Sequence, residues 1–88
     1  MADKGLTCTI LTPDGSAFEG DATYVEAHAL DGRLGILSGH APLITALGSG
    51  PLRVRTADGD HRWQVDGGFL EVLKNDVSII AEKISAEE

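Results

Sequence analysis

Asp-Gly occurs three times in this chain, at Asp14-Gly15, Asp31-Gly32 and Asp58-Gly59, and Asn75-Asp76 supplies a fourth turn signal. Such dipeptides tolerate the positive φ of tight hairpin reversals, so they cut the chain into short segments that double back. The segments between them alternate. In Leu6-Thr7-Cys8-Thr9-Ile10 the apolar residues share one face and the threonines the other. Leu52-Arg53-Val54-Arg55-Thr56 and His61-Arg62-Trp63-Gln64-Val65 repeat the pattern. A period of two over such lengths marks half-buried strands. Phe69-Leu70-Glu71-Val72-Leu73 and Val77-Ser78-Ile79-Ile80-Ala81 are more continuously apolar, as strands near the middle of a core are. Residues 41–47 read either as one or two helical turns between Pro42 and Gly48 or, from Ile44 and Thr45, as strand. The polar tail, 81–88, is expected to fray. Many short strands at turn spacing predict an all-β sandwich or barrel.

Size and charge narrow the reading. A chain of 88 residues buries somewhat over ~60% of its unfolded surface, which is one modest core. We therefore expect a single domain over 1–88, ordered over about 5–82. Fourteen acidic residues against seven Lys+Arg leave a net charge of −7. That balance argues against a nucleic-acid partner and against direct insertion among anionic lipids. Cys8 is the one cysteine, so no disulfide staples the fold. No apolar run nears the ~18–20 residues of a membrane-spanning helix, and the N-terminus lacks a signal-peptide core. The expectation is a soluble chain of a reducing compartment.

No catalytic constellation emerges. His28, His40 and His61 fall on different predicted elements, without the i, i+2 or i, i+4 spacing of a metal pair, so no metal is expected. Ser38 lies two residues from His40, yet no oriented acid is evident and Gly-x-Ser-x-Gly is absent. Cys8, central to an alternating strand, reads as a buried small hydrophobe. The glycines never assemble a phosphate loop, and no cofactor is implied. Lys74 follows Glu71-Val72-Leu73 just before a turn, as a biotinylated or lipoylated Lys does in small acidic carrier domains. This is the alternative function, although the modified Lys of such carriers lies near mid-chain. The stretch from Asp31 to Leu43 fits neither helix nor regular strand. Its glycines suit a docking loop that offers backbone groups to a partner, or its Leu34, Ile36 and Leu37 plug the core.

That same stretch carries a resemblance. Gly32-Arg33-Leu34-Gly35-Ile36-Leu37-Ser38-Gly39-His40-Ala41-Pro42-Leu43-Ile44-Thr45 resembles the G-x-L-G-I-x-x-G-H-A-P-L-x-T run of the epsilon subunits of F-type ATP synthases (delta in mitochondria). Gly50-Pro51-Leu52-Arg53-Val54, Gly67-Gly68-Phe69-Leu70-Glu71-Val72 and Asn75-Asp76-Val77-Ser78-Ile79 resemble further family blocks in the same order, and Phe18-Glu19-Gly20 matches an upstream F-x-G. The likeness runs from about Leu6 to Ala81.

The resemblance implies a flattened β-sandwich of about ten short strands. It implies a non-catalytic rotor component that binds the gamma subunit and the polar loops of the c-ring. Such a component couples proton or sodium flow to ATP synthesis on the cytoplasmic face of the bacterial inner membrane, and is a monomer when isolated. Thr12, His40 and Thr45 correspond to gamma-facing positions of the family. Arg33, Leu34 and Gly35 lie where the family meets the c-ring loops, and Arg33 stands where many relatives have an acidic or neutral residue. Most members continue into two C-terminal helices that restrain ATP hydrolysis. With the chain ending at Glu88, the expectation is no C-terminal helical hairpin and a coupling role without that arm.

Overall fold

The computed structural model describes residues 5–86. Seven strands form one hydrogen-bonded sheet: β1 (Leu6–Thr12), β2 (Gly15–Ala22), β3 (Tyr24–Ala29), β4 (Gly32–Ile36), β5 (Leu43–Thr56), β6 (Gly59–Leu73) and β7 (Asp76–Ala86). Their order across the sheet is β2-β1-β7-β6-β5-β3-β4. All neighbours are antiparallel except β1 and β7, which run parallel. No helix occurs among the described residues.

Each Asp-Gly marks a reversal, with Gly15, Gly32 and Gly59 at φ of 125°, 131° and 130°. Two of these turns are built alike, because Thr-x-Asp-Gly recurs at Thr12 and Thr56. Thr12 Oγ1 donates to the Gly15 carbonyl and accepts from the Asp14 amide, both at 3.0 Å. Thr56 Oγ1 does the same with Gly59 and Asp58, both at 3.1 Å. The fourth reversal falls one residue earlier than the sequence suggests, on Lys74 and Asn75, whose φ of 51° and 65° fit a type I′ turn.

β6 has 15 residues and β5 has 14. A straight strand of 15 residues would span roughly 50 Å, yet the longest dimension of the molecule is 38 Å. Both strands therefore bend. The site of the bend shows in the burial pattern. On β5, Leu47 is buried and then Gly50, Leu52 and Val54; on β6, Trp63 and Val65 are followed by Gly68, Leu70 and Val72; on β7, Ala81 is followed by the half-buried Ile84. The inward parity switches in all three strands at one level of the ladder, where Leu47 pairs with Gly68 and Gly68 with Ala81. There the sheet folds over on itself, and a single sheet becomes the two layers of a sandwich. The β3–β5 register breaks in the same region, between Glu26 and Ala29.

The expected sandwich is thus present, with seven strands instead of about ten because separate sequence segments fuse through the bend. Residues 43–47, left open between helix and strand, begin β5, since their amides and carbonyls find a ladder with β6. The tail does not fray from Ala81: β7 runs to Ala86, opposite Trp63 on β6, with Ile84 packed on the core. Glu87 and Glu88 lie outside the described residues. The core holds Leu6, Cys8, Ile10, Val25, Ile36, Leu52, Val54, Leu70, Val72, Val77 and Ile79, all under 2% exposed. Trp63 closes one end of it, edge-on to Phe18 at 5.7 Å between ring centroids.

Gly68 holds the bend at φ +137°, and a β-carbon there would collide with the Ile80 carbonyl oxygen. Gly68→Ala is expected to destabilise the domain by about 3 kcal/mol or more, from backbone strain plus overpacking. Denaturant unfolding would measure it, and a loss below about 1 kcal/mol would mean that the bend is made elsewhere.

Candidate functional site

The glycine-rich stretch divides into two parts. Ile36 is fully buried and Leu34 packs on the core, so both are plugs. Leu37 is exposed, and from there to Pro42 the chain forms a loop. The His40 amide donates to the Leu37 carbonyl at 3.1 Å. The Gly39 amide donates to Asn75 Oδ1 at 2.7 Å, which ties the loop to the β6–β7 turn. His40 Nδ1 lies 2.7 Å from the Ala41 carbonyl. A carbonyl only accepts, so Nδ1 is the donor in this contact.

The six residues singled out in the sequence fall into different settings. Thr12 ends β1, and its hydroxyl is engaged in the turn described above. His40 lies at the other end of the strands, beside the β6–β7 turn. Thr45 is half-buried on β5 opposite Leu70. The register places these three in no single cluster. Arg33, Leu34 and Gly35 are consecutive on β4, the edge strand. Arg33 is exposed and bonded to Glu26 at 3.2 Å. Gly35 is crossed by Tyr24, whose hydroxyl would sit 2.5 Å from a β-carbon there.

The two outer faces of the sandwich differ in chemistry. On the first layer, Leu11, Ile80, Phe69 and Ala46 are successive cross-strand partners over β1, β7, β6 and β5. Leu11, Ile80 and Phe69 are 45%, 56% and 57% exposed, and Ile44, one outward position along β5, is 71% exposed. Leu30 joins them at the edge, its amide bonded to the Ala46 carbonyl at 3.1 Å. A contiguous exposed apolar row of this kind marks a surface that another molecule covers. Sequence reasoning missed it. Phe69–Leu73 and Val77–Ala81 look like strands buried on both sides, whereas only alternate residues, Leu70, Val72, Val77, Ile79 and Ala81, are buried. The apolar residues between them were the signal.

The second layer is charged. Gly35, Glu26, Arg53 and Arg62 form a cross-strand row over β4, β3, β5 and β6. Glu26 bridges Arg53 at 2.9 Å and Arg33 at 3.2 Å. Tyr24 lies beneath the guanidiniums of Arg53 and Arg55, 5.8 and 5.7 Å from its ring centroid. The histidines have three separate settings. His28 packs over Gly50, His40 is in the loop, and His61 stacks near Trp63 at 6.2 Å. Among the described residues no three His, Cys, Asp or Glu side chains gather in a metal-binding group.

The family profile for the ATP synthase, Delta/Epsilon chain, beta-sandwich domain matches residues 5–87. The chain belongs to the ATP synthase delta/epsilon chain family. It is 40% identical to the ATP synthase epsilon chain of Chlorobium limicola, over 96% of this chain and 97% of that one. With the epsilon chain of Exiguobacterium sp. it shares 46% identity over 83% of its length, and there it spans only 54% of the relative. A chain of the Euglena gracilis mitochondrial ATP synthase (OSCP/F1/c-ring) superposes with a TM-score of 0.85 at 21% identity, over 92% of this chain and 52% of that one. At that identity the match speaks to the fold.

Membership decides between the readings of Lys74. It stands at the tip of the β6–β7 hairpin, as a carrier would require, but the delta/epsilon match takes in the whole region around it, so the carrier alternative is set aside.

Cys8 carries none of the chemistry of an exposed thiol. Burial first, and then the Asp76 carboxylate, push its pKa from 9.0 up to about 12. The neutral thiol is therefore favoured by folding. That contribution is complete below pH 9 and is lost as pH rises through the folded value near 12. Chemical denaturation between pH 8 and pH 11 should show stability falling above about pH 9, and Cys8→Ala should flatten that decline. A decline of equal slope in Cys8→Ala would assign it to other groups.

Proposed function

We propose that this chain is the epsilon component of a bacterial ATP synthase central stalk and that its apolar face is where the gamma subunit docks. The observation that carries the reading is the exposed row Leu11, Ile80, Phe69 and Ala46 with Ile44 beside it. Large side chains held outward on a rigid ladder gain only by being covered, because each exposed aliphatic or aromatic group contributes roughly 25 cal/mol per Å² when removed from water. Membership of an ATP synthase family supports a partner within that complex. Thr12 at one end of the strands and His40 at the other then belong to the rim of that contact, and Thr45 lies beneath its centre, between Ile44 and Ala46 in the chain.

The β4 edge suits a second contact, with the polar loops of the c-ring. Arg33 offers a guanidinium there, already shared with Glu26, so a backbone contact along the edge at Leu34 and Gly35 is the sturdier element, the Leu34 side chain being packed on the core. In this reading the chain has no reacting group of its own. Its task is mechanical: it ties gamma to the ring and transmits rotation, driven by proton or sodium flow, toward ATP synthesis. A close-packed two-layer core resists deformation, which is what torque transmission needs. In this reading it sits on the cytoplasmic side of the inner membrane, held there by protein contacts, since its net charge of −7 disfavours contact with anionic lipid.

The gamma subunit of the same organism, co-expressed and purified, supplies the test. Phe69→Glu with Ile80→Lys, an opposite-charge cross-strand pair, should weaken gamma binding roughly 30-fold or more, as removal of one hot spot of about 2 kcal/mol does. The melting temperature should stay nearly unchanged, since both side chains point outward. Unaltered gamma affinity in the folded double variant would sink the assignment of this face.

A further inference from the structure

Every arginine of the chain, Arg33, Arg53, Arg55 and Arg62, lies on the second layer, in a protein whose net charge is −7. A cleft of about 260 Å³ opens among them, with Arg33, Arg53, Arg62, His28, Glu26 and Leu52 in its walls. Arg33 comes from β4, Arg53 from β5 and Arg62 from β6, so three strands aim guanidiniums at one hollow.

The carboxylates present do not use up these donors. Glu26 is divided between Arg33 and Arg53. Asp60 reaches Arg55 at 3.2 Å but Arg53 and Arg62 only at 4.0 and 3.9 Å. Arg53 Nε is buried with no hydrogen-bond partner. Each guanidinium offers five N–H groups, so four of them exceed what two carboxylates accept. Three arginines against the single carboxylate of Glu26 leave the wall net positive, and a net positive hollow concentrates anions.

We propose that this cleft binds a small phosphate-type oxyanion, inorganic phosphate or diphosphate, through Arg33, Arg53 and Arg62. Guanidiniums match phosphate oxygens in paired, charge-assisted hydrogen bonds, and a tetrahedral anion can accept from three directions at once. The volume supports a small ligand, since pockets for drug-sized molecules run from about 300 to 1,000 Å³. A lipid headgroup offers the same phosphate chemistry, but the net negative charge opposes approach to an anionic bilayer. The site lies on the layer opposite the apolar row and does not depend on gamma docking there.

Titration of the ¹⁵N-labelled chain with sodium diphosphate at constant ionic strength tests this. Saturable shifts are expected at the Nε–Hε signals of Arg33, Arg53 and Arg62, with the backbone amides of Lys74 and Lys83 unmoved. Arg62→Gln, checked for a native fold, should raise the dissociation constant roughly tenfold, the lower end for one charge-assisted hydrogen bond. Arg33→Gln, at a more exposed position, provides a second variant with the same expectation. Non-saturating or evenly spread shifts up to about 20 mM would overturn the proposal, as would unchanged affinity in both variants. Phosphatidylcholine vesicles with about 30% phosphatidylglycerol should not co-sediment the protein. Sedimentation reversed by diphosphate would overturn the free-anion assignment in favour of a headgroup. Binding of a deca-glutamate peptide more tightly than diphosphate would overturn it in favour of an acidic polypeptide.

Discussion

The whole architecture depends on the bend in β5, β6 and β7. Three strands too long for the molecule cross from one layer to the other at a single level of the ladder, and their inward parity switches as they cross. Gly68, whose added β-carbon would strike the backbone of β7, is the tightest point of that crossing. Because one continuous hydrogen-bonded sheet supplies both layers, strands such as β5 connect the two faces covalently. The layers are not free to slide as two separately assembled sheets could.

That connection matters because the two outer faces have opposite chemistry. The half of β5 before the bend contributes Ile44 and Ala46 to the apolar row, and the half after it contributes Arg53 and Arg55 to the charged one. β6 divides the same way, Phe69 on one side and Arg62 on the other. A load applied to the apolar face reaches the charged face through the backbone of these strands. In the role proposed above this is a direct route from the docking face to the far side of the domain.

Much of the fold is legible in the residues themselves. The Asp-Gly reversals and the alternation of Leu6-Thr7-Cys8-Thr9-Ile10 identify strands and turns that the structure contains, because both signals are local. The parity switch is not legible in the same way. Period-two reading assumes a constant face, and β5 and β6 change face at glycines that carry no alternation of their own. Phe69–Leu73 reads as doubly buried because its outward face is apolar as well, and the tail after Ala81 reads as loose because its ladder partner is the distant start of β6. The candidate site was partly legible. The Gly-rich stretch from Asp31 drew attention by matching no regular period, and Arg33, Leu34 and Gly35 do lie together on the β4 edge. The apolar row was invisible because its members are far apart in sequence and meet only through register.

The parallel pairing of β1 with β7 has a kinetic consequence. Thr7 meets Asp76 and Leu11 meets Ile80, so the first strand is joined to the rest of the sheet only by the last. During synthesis the β1–β2 hairpin must wait, with one side of β1 unpaired, until β7 has left the ribosome. Ordering contacts of such long sequence separation is slow, since the loop-closure cost precedes the reward. For as long as β7 is missing, the open side of β1, with Leu6, Cys8 and Ile10 uncovered, is an invitation to wrong strand pairing. β7 acts as the clasp that joins the β1–β2 hairpin to the rest of the sheet.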